Sequence, residues 1–326
     1  MDVRVIAEEI CRGYRIARQN VQLIEETMMC PISDLQIGAD YIRAHFCGER
    51  VELCSIINGR SGSCSEDCRF CAQSAYHRTG VESYTFLSVD EITESAIAHD
   101  RAGIDRYSIV TAGYGLEGED FVTALKAYER MREETGMGLC ASHGFLSSEQ
   151  FEALRLAGVT RYHCNIETSA EFFPQVCTTH LFSDKLDNIR RAKTAGLDVC
   201  SGGIIGMGES RADRLSMAFT LQELGIRSIP INVLIPIPGT PFADLPPLPE
   251  EELLRTVAIF RFINPEAQIR LAAGRSGFSD SGSLAFAGGA SAAISGDMLT
   301  TVGATIRQDR ELVHKLGRKV RELPMN

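Results

Sequence analysis

The sequence has no tryptophan, no cysteine after Cys200 and no apolar run long enough for a membrane-spanning helix. Residues 1–4, Met-Asp-Val-Arg, do not begin the apolar region of a signal peptide. Basic residues are also few, since 33 Lys and Arg stand against 43 Asp and Glu, a formal net charge of −10. Nucleic-acid binders and proteins that dock on anionic membranes need a basic surface. The composition therefore predicts a cytoplasmic chain without nucleic-acid or membrane partners.

Cysteine, by contrast, is abundant, with 11 residues in a chain of 326. An odd count in a long chain without an export signal argues against a disulfide framework. In a reducing compartment such thiols are either small core residues or metal ligands. The sequence must therefore be searched for cysteines at ligand spacing.

Short β-branched segments alternate with segments of helical period between about residues 50 and 300. Strands separated by helices indicate parallel βαβ units, and eight of them in this length favour an α/β fold, a (β/α)8 TIM-type barrel. A doubly wound sheet is the alternative, but it usually has fewer strands. The eight predicted strands begin at Val51, Arg106, Gly138, Arg161, Leu197, Ser228, Ala267 and Ala290.

The intervening helices carry recognisable start signals. Ser88 with Glu91, and Ser147 with Gln150, have the spacing of capping boxes. Residues 1–48 are predicted to form an N-terminal helical extension, and residues 49–326 the barrel with a C-terminal helix. One face of the extension is predicted to carry Val5, Ile6, Ile10 and Tyr14.

Three cysteines, Cys64, Cys68 and Cys71, follow the first predicted strand at C-x3-C-x2-C spacing. Three thiolates can bind three irons of a four-iron cluster and leave the fourth without a protein ligand. Zinc is the alternative, with His77 as a fourth ligand. In a barrel of this type the loop lies at the catalytic end.

The segment CSEDCRFCAQS around this triplet resembles the radical S-adenosylmethionine (SAM) superfamily. Together with VCSGGIIGMGES, PINVLIPIPGTPF and IRLAAGR, in that order, it resembles the biotin synthase family. The resemblance covers roughly residues 50–315. It implies a [4Fe–4S] cluster on Cys64, Cys68 and Cys71 whose open iron binds SAM. It also implies that a 5′-deoxyadenosyl radical activates C9 and then C6 of dethiobiotin, and that sulfur from an auxiliary cluster closes the ring.

The same resemblance assigns residues to the cofactor and the substrate. Asn165 and Glu167, two apart on the fourth predicted strand, would face the same side. The glycine-rich segment after the fifth strand would lie beside the adenine, and Asn165 and Asn232 would bind the ureido ring of dethiobiotin. The predicted cofactor-binding residues are Phe70, Gly113, Asn165, Glu167, Ile204 and Gly206.

The auxiliary cluster is the point of departure from the family. Members of the family commonly hold a [2Fe–2S] cluster on three cysteines and an arginine. Cys140, Cys200 and Arg270 match three of these four positions. The fourth position is Ser108, and a hydroxyl is a poor ligand for soft iron. Cys54 on the first strand is the predicted replacement. Three thiolates then suit a four-iron cluster with one open iron. The pattern resembles a branch of the family that uses a [4Fe–5S] cluster, whose open iron would carry the transferable sulfide, and [2Fe–2S] is the alternative.

Arg106, Cys164 and Arg270 complete the prediction for the inner barrel. Cys164 is a possible further ligand, but as a neighbour of Asn165 it is expected to point into the barrel wall. Arg106 would point into the barrel, where its positive charge needs an anionic partner. The predicted catalytic residues are Cys54, Cys140, Cys200 and Arg270.

Other functions and partners stay open at this point. A hydrogenase maturase or methylornithine synthase of the same barrel branch is one alternative, and a non-catalytic iron–sulfur or zinc protein is another. Flavodoxin or ferredoxin is the expected electron donor, and a homodimer the expected assembly. His143 and His163 could line the site or lie in the core. Four cysteines have no motif, Cys11, Cys30, Cys47 and Cys177.

Overall fold

The computed structural model describes residues 2–323, so Met1 and the last three residues of the predicted 49–326 unit lie outside the described part. Helices α1 (Val3–Cys11), α2 (Val21–Met28) and α3 (Ile32–Cys47) precede the first strand. The strands are β1 Glu52–Arg60, β2 Arg106–Thr111, β3 Gly138–Ser142, β4 Val159–His163, β5 Asp198–Cys200, β6 Gly203–Ile205, β7 Ser228–Val233, β8 Gln268–Leu271 and β9 Ala292–Ile294. The remaining helices are α4 Val89–Arg101, α5 Gly118–Glu134, α6 Ser148–Leu156, α7 Phe182–Thr194, α8 Arg211–Glu223, α9 Glu250–Ile263, α10 Ser283–Ala287 and α11 Ile306–Lys315.

The strands form one closed parallel barrel. Their order is β5-β4-β3-β2-β1-β9-β8-β7-β6, and β5 also pairs with β7 where Cys200 lies opposite Ser228. This pairing joins the two ends of the sheet, which confirms the predicted (β/α)8 fold class. Within residues 2–323, no helix is both long and apolar enough to cross a membrane.

The fifth predicted strand is wrong in one respect, because it is divided into β5 and β6 at Ser201 and Gly202. The Gly202 N–H donates to the side chain of Asn165 at 3.0 Å instead of continuing a strand ladder. A Cβ at Gly202 would collide with the Pro230 carbonyl oxygen, so this close approach needs glycine. The two short strands together occupy the place of one barrel strand.

The fourth predicted strand is also corrected. It spans Val159–His163, so Asn165 and Glu167 lie beyond its end and not on it. Glu167 has a φ of 70°, in the left-handed region, which interrupts the extended conformation. A single bridge to Gly203 then holds Glu167 at the mouth of the barrel.

The local helix signals are confirmed, but the predicted face of the extension is only half right. Ser88 and Ser147 each form the capping box predicted from their spacing, at the starts of α4 and α6. In α1, Ile6 and Ile10 are buried, whereas Val5 is half exposed. The buried face of α1 follows helical spacing from Val3.

Candidate active site

A cavity of about 370 Å³ runs from the inner barrel to the loops at the C-terminal ends of the strands. This is the end at which (β/α)8 enzymes place their chemistry. The predicted site residues that line it are Cys54, Phe70, Cys71, Cys140, Cys164, Asn165, Glu167, Cys200, Ile204, Asn232 and Arg270. Cys64, Cys68, Gly113 and Gly206 lie outside this lining.

The triplet loop is folded by its own backbone. Cys64 N–H donates to the Gln73 carbonyl at 2.9 Å, and Cys71 N–H donates to the Cys68 carbonyl at 2.9 Å. The N–H of Gly113 donates to Cys64 Sγ at 3.3 Å, so the loop after β2 contacts the triplet directly. Burial raises the pKa of the Cys71 thiol to about 11.

Cys68 differs from the other two cysteines of the triplet. Its Sγ, the Sγ of Cys177 and a ring nitrogen of His180 all lie within 4.8 Å of one another. His77, the residue considered as a zinc ligand, instead bonds through Nε2 to the backbone carbonyl of Cys68 at 3.1 Å. Cys177, which has no motif, is thus placed beside the triplet by the tertiary structure.

Asn165 and Glu167 meet the cavity from the segment after β4. Asn165 Oδ1 is occupied by the Gly202 N–H, which leaves its amino group for a ligand. Glu167 Oε2 is buried and has no hydrogen-bond partner within residues 2–323, while Lys185 Nζ lies 3.9 Å from Oε1. A buried carboxylate oxygen that accepts no hydrogen bond costs free energy, so Glu167 Oε2 is suited to accept a hydrogen bond from a ligand.

The glycine-rich turn after β6 is held by Glu209, a residue whose role the sequence pattern did not reveal. Its carboxylate accepts the N–H of Gly206 at 2.9 Å and the N–H of Met207 at 2.8 Å. Arg214 Nε donates to the same carboxylate at 2.7 Å. Glu209 therefore shapes the turn that carries Gly206, while Ile204 reaches the cavity.

The inner thiols Cys54, Cys140 and Cys200 lie on alternate strands of the barrel, β1, β3 and β5. Cys140 pairs in register with Ser108, and Cys200 with His163. Burial raises the pKa of the Cys54 and Cys140 thiols. Burial also raises that of Cys200, but the hydrogen bond and charge of His163 outweigh it and leave the pKa at about 7. His163 therefore lines the site, whereas His143 is fully buried elsewhere.

Glu52 forms ion pairs with three arginines beside these thiols. Its carboxylate contacts Arg270, Arg161 at 3.1 Å and Arg106 at 3.3 Å. Burial raises the pKa of Glu52, but the three guanidinium charges outweigh it and bring the pKa to about 2. Glu52 lies two residues before Cys54 and so shares its face of β1, a signal that could have identified it.

The inner barrel suits an anionic metal cluster. Three guanidinium groups face one carboxylate there, which leaves positive charge beside three buried thiols. Among the residues that the structure describes, no hydrogen-bond partner is found for the buried donors Ser108 Oγ and Arg161 Nε. Cluster sulfides are anionic acceptors that would satisfy these donors.

Cys164 and Asn232 both form hydrogen bonds with other residues of the protein. Cys164 belongs to the buried apolar core, and a hydrogen bond with Asn188 acts on its thiol. Asn232 donates to the Gly203 carbonyl at 3.0 Å and accepts the Ala273 N–H at 3.2 Å. An amide has two donors and two acceptor positions, so one of each is left at the cavity.

Comparison with known proteins is decisive for the family. A model described as "Radical SAM superfamily" matches residues 60–221, and "Biotin and Thiamin Synthesis associated domain" matches residues 230–319. The biotin synthase of Alkaliphilus metalliredigens is 54% identical over 317 residues, 97% of this chain and 99% of that protein. The biotin synthase of Clostridium beijerinckii is 52% identical over 96% of this chain and 98% of its own length. The chain belongs to the biotin synthase family.

Solved structures of more distant proteins share only the fold. A methylornithine synthase has a TM-score of 0.83 at 18% identity and covers 98% of both chains. An [FeFe]-hydrogenase maturase from Carboxydothermus hydrogenoformans has a TM-score of 0.78 at 15% identity, over 97% of this chain and 78% of that one. The alternatives within this barrel branch thus share the architecture, while the sequence matches biotin synthases. As a biotin synthase family member the chain is a radical SAM enzyme, which implies a [4Fe–4S] cluster and SAM.

Proposed function

We propose that the chain converts dethiobiotin to biotin by inserting sulfur between C6 and C9 in a SAM-dependent radical reaction. One observation carries the proposal: a single cavity is lined by Cys71 of the triplet and by the inner thiols Cys54, Cys140 and Cys200. Such a cavity can hold a substrate between a site that generates a radical and a site that supplies sulfur. Family membership independently supports the same activity.

In this proposal Cys64, Cys68 and Cys71 hold the [4Fe–4S] cluster, which supplies the electron for reductive cleavage of SAM. The residues around the triplet orient SAM and exclude water. Glu167 Oε2, buried and without a donor, accepts hydrogen bonds from the ribose. Phe70 and Ile204 line the cavity and would contact the cofactor. Gly113 and Gly206 lie outside that lining, in the loops beside it, where a residue without a side chain would let the backbone approach the cofactor.

Cys54, Cys140 and Cys200 are proposed to hold the auxiliary cluster with Arg270 beside it. When bound there, the cluster would supply the sulfur atom of the product. Three thiols and the Ser108 hydroxyl favour [4Fe–5S] over [2Fe–2S], because one iron is left without a protein thiolate. Glu52 keeps Arg270 in place, and the arginines neutralise the cluster charge.

Dethiobiotin is proposed to bind between these two sites. The amino group of Asn165 and the remaining amide positions of Asn232 provide complementary partners for a ureido ring. Apolar side chains elsewhere on the cavity wall, including Ile56, Val110 and Ile294, suit an aliphatic chain.

The test is anaerobic turnover with SAM, a reductant and dethiobiotin. We expect 5′-deoxyadenosine that depends on dethiobiotin, together with biotin. Iron analysis separates the cluster types, because [4Fe–4S] plus [4Fe–5S] requires about eight irons per chain and [4Fe–4S] plus [2Fe–2S] about six. About four irons would overturn the two-cluster proposal. Cys30→Ser removes a thiol outside the cavity, so we expect it to leave the iron content and biotin formation unchanged.

Three further expectations belong to this proposal. A low-potential protein such as flavodoxin or ferredoxin donates the electron, because the family reaction is reductive. The chain works in the cytoplasm, which agrees with eleven free cysteines in the structure. It assembles as a homodimer, which sedimentation of the loaded protein tests.

A further inference from the structure

Cys68, Cys177 and His180 form a compact group of metal-ligating side chains outside the cavity. Their ligand atoms all lie within 4.8 Å of one another, and Cys177 Sγ is 3.3 Å from His180 Nδ1. In a tetrahedral site with Zn–S near 2.3 Å and Zn–N near 2.0–2.1 Å, a sulfur and a nitrogen lie about 3.5 Å apart. The observed separation is close to that value before any ion binds.

The surroundings of the group also suit a cation. Cys177 and His180 are 3% and 6% exposed. Among the residues that the structure describes, His180 Nε2 has no hydrogen-bond partner, so it can carry the ring proton when Nδ1 binds a cation. Two carboxylates flank the group, with Glu66 Oε2 at 2.6 Å from His180 Nδ1 and Asp67 Oδ1 at 3.1 Å from Cys177 Sγ. Two thiols, an imidazole and adjacent carboxylates match the preference of a borderline-soft divalent ion.

We propose that Cys68, Cys177 and His180 form a mononuclear site for a thiophilic divalent cation, Zn²⁺ or Fe²⁺, in the chain that lacks its triplet cluster. Binding displaces the thiol protons of the two cysteines, moves the ring proton of His180 from Nδ1 to Nε2 and involves no redox step. The site is distinct from the triplet because two of its three ligands come from the segment between β4 and α7.

The two sites share Cys68, so their occupancies exclude each other. This part rests on the proposed role of the triplet, in which Cys68 acts together with Cys64 and Cys71. In the structure Cys68 instead contacts Cys177, the arrangement that the mononuclear site requires. A bound Zn²⁺ is therefore expected to hold Cys68 away from cluster assembly.

The first experiment measures Co²⁺ binding by the full, cluster-free chain under anaerobic conditions, from sulfur-to-cobalt charge-transfer absorption. Cys177→Ser and His180→Gln should each weaken binding at this site about 100-fold or more, the upper end of effects seen even for outer ligands. Cys64→Ser and Cys71→Ser should leave it unchanged. All four variants keep the inner thiols, so any cobalt bound there is a constant background.

The expected pattern is specific to the proposed ligands. Equal binding by the parent chain and by both Cys177→Ser and His180→Gln would overturn the proposal. So would equal losses in Cys64→Ser and Cys177→Ser, because the cation would then occupy the triplet. Cys30→Ser serves as the control for loss of a thiol without a site, and circular dichroism verifies that each variant is folded.

The second experiment tests the exclusion and uses Zn²⁺ as the probe. The parent chain, preloaded with one equivalent of Zn²⁺, should acquire iron and sulfide at the triplet more slowly than the zinc-free chain, because Zn²⁺ must first leave Cys68. Cys177→Ser should show no such slowing. If zinc slows assembly equally in both chains, the exclusion is wrong, whereas the Co²⁺ result stands or falls by itself.

Discussion

Ser108 lies directly opposite Cys140 in the register of β2 and β3, and its buried hydroxyl has no hydrogen-bond partner. Residues in register on neighbouring parallel strands point to the same face of the sheet. Ser108 therefore stands among the inner thiols, at the position where a fourth ligand could bind. Because a hydroxyl oxygen is a poor ligand for iron, a ligand that is not part of the protein, such as a sulfide, can bind at that position.

Ser108→Cys tests the meaning of this position. A fourth thiolate would bind the iron that we propose carries the extra sulfide. Iron should stay near eight per chain, acid-labile sulfide should fall from about nine to about eight, and biotin formation should fall sharply. Anaerobic iron and sulfide analysis measures this. Ser169→Cys is the matched control, because Ser169 is buried outside the cavity and its hydroxyl donates to Asp213. Unchanged sulfide in Ser108→Cys would contradict the [4Fe–5S] assignment.

Glu52→Gln should destabilise the cluster-free chain. The change removes the carboxylate that three buried or half-buried arginines share, and breaking such a pair costs about 3 kcal/mol of unfolding free energy. The loss should be smaller in the loaded chain, since an anionic cluster replaces the lost charge. Anaerobic urea denaturation of both forms provides the measurement. Glu266→Gln, at a surface pair with Arg15, should cost less than about 1 kcal/mol.

Glu167→Gln should weaken SAM binding. The variant keeps the shape of the side chain but removes the charge that strengthens hydrogen bonds to the ribose, worth about 1.5–3 kcal/mol or roughly 10- to 100-fold in Kd. Equilibrium binding to the cluster-loaded enzyme tests this, with exposed Glu171→Gln as control. An unchanged Kd would exclude Glu167 as a cofactor contact.

The buried histidine His143 should make the chain sensitive to acid. Burial, with the nearby charge of Arg60, lowers the pKa of His143 to about 3. The unfolded chain takes up this proton below about pH 6.5 and the folded chain does not, so stability falls as the pH drops. The loss attributable to His143 is about 2 kcal/mol between pH 7.5 and pH 5.

His143→Gln should remove that part of the pH dependence. Glutamine can retain a hydrogen bond to Thr111 or Tyr128, which contact the two ring nitrogens of His143 at 3.1 and 2.9 Å. Denaturation curves at several pH values give the slope, and the exposed His314→Gln should leave it unchanged. An equally steep slope in His143→Gln would show that other groups cause the acid sensitivity.

Local patterns predicted much of the fold. The capping boxes at Ser88 and Ser147 and the strand from Arg106 depend on neighbours within a few residues, so sequence spacing reveals them. The end of β4 was misplaced because a left-handed Glu167 is stabilised by a bridge to Gly203, a contact with a distant segment. The division of the fifth strand has the same kind of cause, since the side chain of Asn165 takes the Gly202 N–H.

Residue spacing predicted the cluster chemistry, from the C-x3-C-x2-C run of Cys64, Cys68 and Cys71 and from Ser108 at the place of a cysteine. Both are properties of short segments, whose covalent spacing limits which ligands can share a metal. The other parts of the site depend on contacts between distant segments. Barrel closure brings Glu52 to Arg161 and Arg270, and the segment after β4 brings Cys177 and His180 to Cys68. These contacts join residues that lie far apart in the chain. They form because closure of a twisted parallel sheet buries its inner face, where a charged side chain is stable only when it is paired.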